Sequence, residues 1–174
     1  MVERHRAAGP ARLKFAVIVT STKLHEARLR GGPVDDVSGE VASILISKAG
    51  HEVIKRCLVP NDPSKIVKEV TDAVDGGADV VIVSGGTGLG PCDLTIESVT
   101  PLFEKRIPGF GELFRKLSFE RVGSAAMLSR ADAGVYRKSV VFLLPGSPDA
   151  VEVALTKLIL PEAGHLIAEV RGLR

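Results

Sequence analysis

The 174-residue sequence predicts an α/β protein, a three-layer α/β/α sandwich built round a mostly parallel sheet. Three runs, Phe15–Val19, Asp79–Ser84 and Ser139–Leu144, are dominated by β-branched and aliphatic residues and fit strands that are apolar on both faces. Segments with apolar residues at helical spacing lie between them, and strand–helix alternation specifies parallel strands joined by right-handed crossovers. Composition agrees. With six Phe, one Tyr and no Trp, the core has to be assembled from Val, Ile, Leu and Ala, which suits buried parallel strands.

Residues 1–12 hold Arg, His, Ala, Gly and Pro without periodicity, and are expected to form a flexible extension ahead of one domain over 13–174. After the first strand, Val37, Val41, Ile44, Leu45 and Ala49 recur at helical spacing, opened by Asp36 or Ser38 and closed by Gly50. Val53–Val59 reads as the next strand. Ile66, Val67, Val70, Ala73 and Val74 then mark a helix that ends at Gly76-Gly77, with Asp62 as cap and Pro63 in its first turn. A glycine-rich loop follows the strand ending at Ser84 and leads to a helix beginning near Thr95. A further helix is expected over 109–117, and a flexible polar stretch at 131–134. The last helix is expected from about 148 to 168, with a break at Pro161, because proline has no N–H to donate and its ring crowds the preceding turn.

Several function classes are excluded by this reading. Lys and Arg total 23 against 21 Asp and Glu, so no basic nucleic-acid-binding face is indicated. Charges or Gly/Pro breaks interrupt every apolar stretch before the roughly 18 to 20 residues that span a bilayer. The start of the chain lacks the apolar segment of a signal peptide, and a reducing cytoplasm is the expected home. Cys57 and Cys92 form no CxxC pair; a single bridge between them stays open. The four histidines are scattered and suggest neither a metal site nor a His-based triad, and Ser147 in Gly-Ser-Pro does not sit in a Gly-x-Ser-x-Gly elbow.

In an open parallel sheet, ligands bind beyond the carboxyl ends of the strands. That rule nominates Pro60–Pro63, Ser84–Thr95 and Pro145–Asp149. The second segment has four glycines in six positions, Gly85, Gly86, Gly88 and Gly90, so its backbone N–H groups can approach an anion closely, with the Thr87 and Thr95 hydroxyls as further donors. It is not a Walker A loop, since Pro91-Cys92 stand where Lys-Ser/Thr is required, and it is not a Rossmann fingerprint either. Asp93 reads either as a ligand for Mg²⁺ or as the cap of the following helix; Asp62 carries the same two readings. Ser147 fits a helix cap, and Gly146 with the free amides after it fits an anion site. Ser129 and Arg130 are either ligand-facing or exposed.

Taken together, Asp36-Val-Ser-Gly, Val59-Pro-Asn-Asp-Pro, Ser84-Gly-Gly-Thr-Gly-Leu-Gly-Pro-Cys-Asp-Leu-Thr, Ile107-Pro-Gly-Phe-Gly-Glu-Leu-Phe-Arg, Leu128-Ser-Arg-Ala and Leu144-Pro-Gly-Ser-Pro-Asp-Ala-Val resemble the MoaB/Mog family of molybdenum-cofactor biosynthesis proteins. The resemblance runs from about Phe15 to Ala168 and is closest to the MoaB branch. It implies a trimer or hexamer that adenylylates molybdopterin with MgATP, releases pyrophosphate and passes the product to a molybdenum or tungsten insertase. It also implies that Gly85, Gly86, Thr87 and Gly88, with Pro145, Gly146 and Ser147, bind pterin or phosphate, and that Ser129 adds a contact. Asp93 would serve the magnesium or align the phosphates. The second acid expected of the family falls on Asn61, the one side-chain amide in the chain, with Asp62 beside it, so Asn61, Asp62 and Asp93 form the implied metal set. Cys92 and Ile96 also depart from the family pattern, where a basic residue and a proline are usual. Asn61 opens an alternative, a catalytically silent molybdopterin-binding or carrier protein of the same pathway.

Overall fold

The computed structural model describes residues 9–173. Among them β1 (Lys14–Thr20), β2 (Glu52–Val59), β3 (Val80–Ser84), β4 (Lys105–Arg106), β5 (Asp132–Tyr136) and β6 (Ser139–Leu144) form one sheet, in the order β2-β1-β3-β6-β5-β4. The pairs β1–β2, β1–β3 and β3–β6 are parallel, whereas β5 runs antiparallel to β6 and to β4. Because successive side chains on a strand point to opposite faces, Phe15, Val17 and Val19 enter one core while Ala16 and Ile18 enter the other.

The first core packs β1, β3 and β6 against α2 (Val37–Lys48), α5 (Pro108–Val122) and the C-terminal helices, through Ala42, Ile46, Phe110, Phe114 and Leu155. The second packs the opposite face against α3 (Pro63–Asp75), through Ile66, Val70 and Ala73, and against Val99 of the short α4 (Thr95–Val99). At the amino edge of the sheet, Asp79 accepts from the Lys14 N–H (2.6 Å) and from Arg171 (2.5 Å), tying β1, β3 and the C-terminus together.

Four local expectations change. A helix α1 (Thr22–Leu29), capped by Ser21, follows β1; it buries no residue and so has no apolar stripe to announce it. The polar stretch at 131–134 is not flexible: it opens β5, where Ala133 and Gly134 are fully buried in the sheet. Helix α5 runs on to Val122, beyond residue 117. Finally, the last helix is continuous: α6 (Pro148–Val153) passes through a π-helical stretch, Ala154–Ile159, into α7 (Leu160–Arg171). Pro161 cannot donate to the carbonyl four residues before it, and the wider turn accommodates that loss without a break.

Residues 1–8 of the expected extension lie outside the described residues. Gly9 rests directly on the backbone of Gly164 in α7, so closely that a Cβ on Gly9 would fall 2.2 Å from the Gly164 carbonyl oxygen. No helix among the described residues is long and apolar enough to cross a membrane.

Candidate active site at the carboxyl edge of the sheet

β1, β3 and β6 end on one edge, and antiparallel β5 begins there because Asp132 pairs with Leu143 near the end of β6. A cleft of about 590 Å³ opens along this edge. Its lining comes from Thr20 at the end of β1 and Ser21 after it, Asp35, Asp36 and Ser38 at the start of α2, Gly85–Gly88 with Asp93 after β3, and Pro145 and Gly146 after β6.

The glycine-rich loop is held by its carbonyls. Thr95 Oγ1 donates to the Gly85 carbonyl (2.7 Å), the Thr95 N–H to that of Gly86 (2.9 Å), and Arg130 Nε to that of Thr87 (2.9 Å). In a trans peptide the N–H points opposite to the C=O, and no cis bond occurs among the described residues. Three carbonyls drawn towards Thr95 and Arg130, neither of which lines the cleft, therefore turn the N–H groups of Gly86, Thr87 and Gly88 to the cleft side. This path needs left-handed backbone at Gly85 (φ 103°) and Gly86 (φ 62°). It also leaves no room for a side chain: a Cβ on Gly86 would lie 2.6 Å from Thr95 Oγ1 and 2.7 Å from Asn61 Oδ1.

Asp93 closes the loop on itself, its N–H donating to the Gly90 carbonyl and its Oδ2 accepting from the Gly90 N–H, both at 3.0 Å. Helix α4 starts behind Leu94 with no side-chain cap, so the cap reading of Asp93 does not hold. Asp62 does cap α3: Oδ1 accepts from Ser64 Oγ (2.6 Å) and the Lys65 N–H (3.1 Å), and these bonds, Ser64's foremost, hold its carboxyl below the usual range. It does not line the cleft. Asn61 lies behind Gly86, where its Oδ1 is buried without a hydrogen-bond partner.

Ser129 and Ser147 face a neighbouring pocket of about 440 Å³, which Phe114, Arg121 and Asp149 also line and which shares Pro145 with the cleft. Ser147 caps α6 by accepting from the Ala150 N–H (3.2 Å). Arg130 is turned to Thr87 and to Glu97, which it grips with both terminal nitrogens (2.6 and 3.0 Å). Asp36 caps α2 and pairs with Arg56 (2.7 Å). Sequence reasoning missed Thr20, Asp35, Asp36 and Ser38 as cleft residues; the strand-end rule, applied to β1 as well, points to Thr20.

No group of three or more His, Cys, Asp or Glu able to hold a metal occurs among the described residues. Magnesium needs only one or two carboxylates beside phosphate oxygens and water, and the oxygen donors of Asp93 and Asp35 in the cleft fit that requirement. Cysteine chemistry is not supported: both cysteines are free, Cys92 lines no part of the cleft, and burial, then Glu69, pushes the Cys57 thiol up to about 12.

Comparison with known proteins places this geometry. The family described as probable molybdopterin binding domain matches residues 16–165. Molybdenum cofactor biosynthesis protein B of Bacillus subtilis is 39% identical, covering 98% of this chain and 97% of that one. A Pyrococcus furiosus protein named molybdopterin adenylyltransferase is 40% identical, covering 98% of both chains. The crystal structure of the tungsten cofactor synthesizing protein MoaB from Pyrococcus furiosus superposes with a TM-score of 0.84 at 39% identity, over 93% of this chain and 99% of that one. With a loop of inward-turned amides at the carboxyl edge of the same sheet, the chain belongs to the molybdopterin-binding-domain family of molybdenum-cofactor biosynthesis proteins, in its MoaB branch.

Proposed function

We propose that this protein transfers the adenylyl group of ATP to molybdopterin. The observation that carries the reading is the Gly85–Gly88 loop, which lines the cleft with its carbonyls drawn away to Thr95 and Arg130, beside a second pocket that shares Pro145 with the cleft. Pre-aimed amides stabilise phosphate charge as it shifts in the transition state, because they need no reorganisation. The terminal phosphate of the pterin attacks the α-phosphorus of ATP and forms a new P–O bond. The bond to the β-phosphate breaks, and pyrophosphate leaves.

Asp93, one oxygen of which is held by the Gly90 N–H, and Asp35 supply the carboxylates for a magnesium ion, which would neutralise charge on the polyphosphate. Ser129 and Ser147 in the adjoining pocket suit the polar edge of the pterin. The name of the Pyrococcus furiosus relative supports the same chemistry. On this reading the protein acts in the cytoplasm as a homotrimer or homohexamer and hands its product to a molybdenum or tungsten insertase.

The test is pyrophosphate release with molybdopterin, ATP and Mg²⁺. Wild type should turn over, and Asp93→Ala should lose at least about 100-fold, the scale on which a charge-stabilising group acts. Its melting temperature should hardly change, since Asp93 does not cap α4. Molybdopterin binding without pyrophosphate release would replace this reading with a carrier, the role favoured by the neutral amide of Asn61 behind the loop.

A further inference from the structure

We propose that Arg130 and Glu97 are positioning residues: their ion pair fixes the Thr87 carbonyl outside the cleft and so keeps the N–H of Gly88 aimed into it. Every arm of the guanidinium is engaged. Nε donates to the Thr87 carbonyl (2.9 Å), while Nη1 and Nη2 grip the two carboxylate oxygens of Glu97 (2.6 and 3.0 Å). Arg130 stands in the lead-in to β5 and Glu97 in the first turn of α4, so one side chain joins the loop after β3 to two other elements.

The alternative role, an arginine reaching for a phosphate, does not match this geometry. Arg130 lines neither the cleft nor the pocket beside it, and its charge is already matched. The hydrogen bonds from Arg130, foremost among its surroundings, hold the Glu97 carboxyl below the usual range, as a persistent pair requires. An ion pair this exposed adds little to global stability. Its effect lies in the peptide it orients: when the Thr87 carbonyl turns, the Gly88 N–H turns with it. Arginine is required because lysine has no planar fork to hold a carboxylate and a carbonyl together.

If loss of the pair leaves the loop correctly aimed in about one molecule in ten, apparent nucleotide affinity falls about tenfold while the rate from the bound state is kept. This kinetic arm rests on the adenylyl-transfer reading; a second arm does not. Amide hydrogen exchange at Gly85, Gly90 and Asp93, the loop N–H groups that have hydrogen-bond partners, and the KM and kcat for ATP would be measured in wild type, Glu97→Gln, Arg130→Lys and the double variant. Each single change should speed loop exchange about tenfold and raise KM about tenfold with kcat within about twofold, and the double variant should be no worse than either.

Tighter ATP binding in Glu97→Gln would overturn the proposal, by making Arg130 a masked phosphate ligand. Loss of kcat at constant KM would also overturn it, and so would unchanged loop exchange. If wild type releases no pyrophosphate, exchange alone decides: acceleration keeps the clamp although the reaction assignment fails, and no acceleration removes both.

Discussion

Two connections leave neighbouring parallel strands at the same edge of the sheet and are built on different plans. From β3 the chain takes the ten residues Gly85–Leu94 to reach a helix; from β6 it takes the three residues Pro145–Ser147. The long connection bends through two left-handed glycines and gives up its carbonyls to Thr95 and Arg130. The short one gives its carbonyls to serines, Ser84 Oγ donating to Pro145 (3.3 Å) and Ser38 Oγ to Gly146 (2.6 Å), then enters α6 under the Ser147 cap. One plan produces a surface of amides and the other a wall between two pockets. The loop that carries the donors is the one that needs left-handed backbone, at Gly85 and Gly86.

That contrast can be broken most directly by adding a methyl group to each connection. Gly86→Ala puts a side chain at φ 62°, costing about 1–2 kcal/mol for left-handed backbone before any contact is counted. With the 2.6 Å approach to Thr95 Oγ1 the loop must move, and pyrophosphate release should fall by at least about 100-fold. In Gly146→Ala the new atom meets Gly85 Cα at 3.1 Å on ordinary backbone, and a loss of about tenfold is expected. Equal losses would show that the wall matters as much as the donors.

Thr95→Val sharpens the same comparison without touching the cleft. It removes the donor to the Gly85 carbonyl in a fully buried position, a cost of about 1–3 kcal/mol that chemical denaturation would read, and loop exchange should rise with it. Asp62→Ala is a smaller change of another kind. It removes the α3 cap, so the melting temperature should drop while turnover stays within about twofold. Loss of turnover instead would return Asp62 to the catalytic set.

The smallest expected effect lies at the opposite edge and serves as a control. The Leu13 N–H donates to His51 Nδ1 (3.3 Å), the ring stacks on Phe15 at 5.2 Å, and burial lowers the His51 pKa. The unfolded chain therefore takes up a proton more readily than the folded one. The stability from neutral His51 is complete above the ordinary value of 6.5 and is lost as pH falls through that value towards the lower folded one. Melting curves between about pH 8 and pH 5 should show a decline that is smaller in His51→Gln, with loop exchange unaffected.

The parallel half of the molecule was legible because burial on both faces leaves a simple mark: β1, β3 and β6 are unbroken aliphatic runs, and α2 and α3 carry caps and terminal glycines. The antiparallel half was not. Asp132-Ala-Gly-Val-Tyr mixes a charge, a glycine and an aromatic residue, and becomes a strand by pairing with β6 rather than by its own pattern. The loops of the site were legible as anion cradles from their glycines, yet the sorting of their residues was not. Ser129 and Ser147 fell into the second pocket, and Asp62 remained a cap, because side-chain direction depends on which neighbouring element supplies the partner. Arg130 shows the same limit: its role depends on Glu97, 33 positions away.

The π-helical stretch ahead of Pro161 also sets a rotational phase. Among the buried residues of this region, Val151, Leu155, Ile159, Ala163 and Ile167 stand four apart, with Ala154 beside them. On an ordinary α-helix each such step overshoots a full turn by about 40°, so the last of the five would point well away from the first. The wider turn over Ala154–Ile159 absorbs much of that drift and lets one stripe stay against the sheet for the whole length. The segment thus behaves as a fixed offset written into the helix. Deleting one residue within it would rotate everything downstream, carrying Arg171 away from Asp79 and Gly164 away from Gly9.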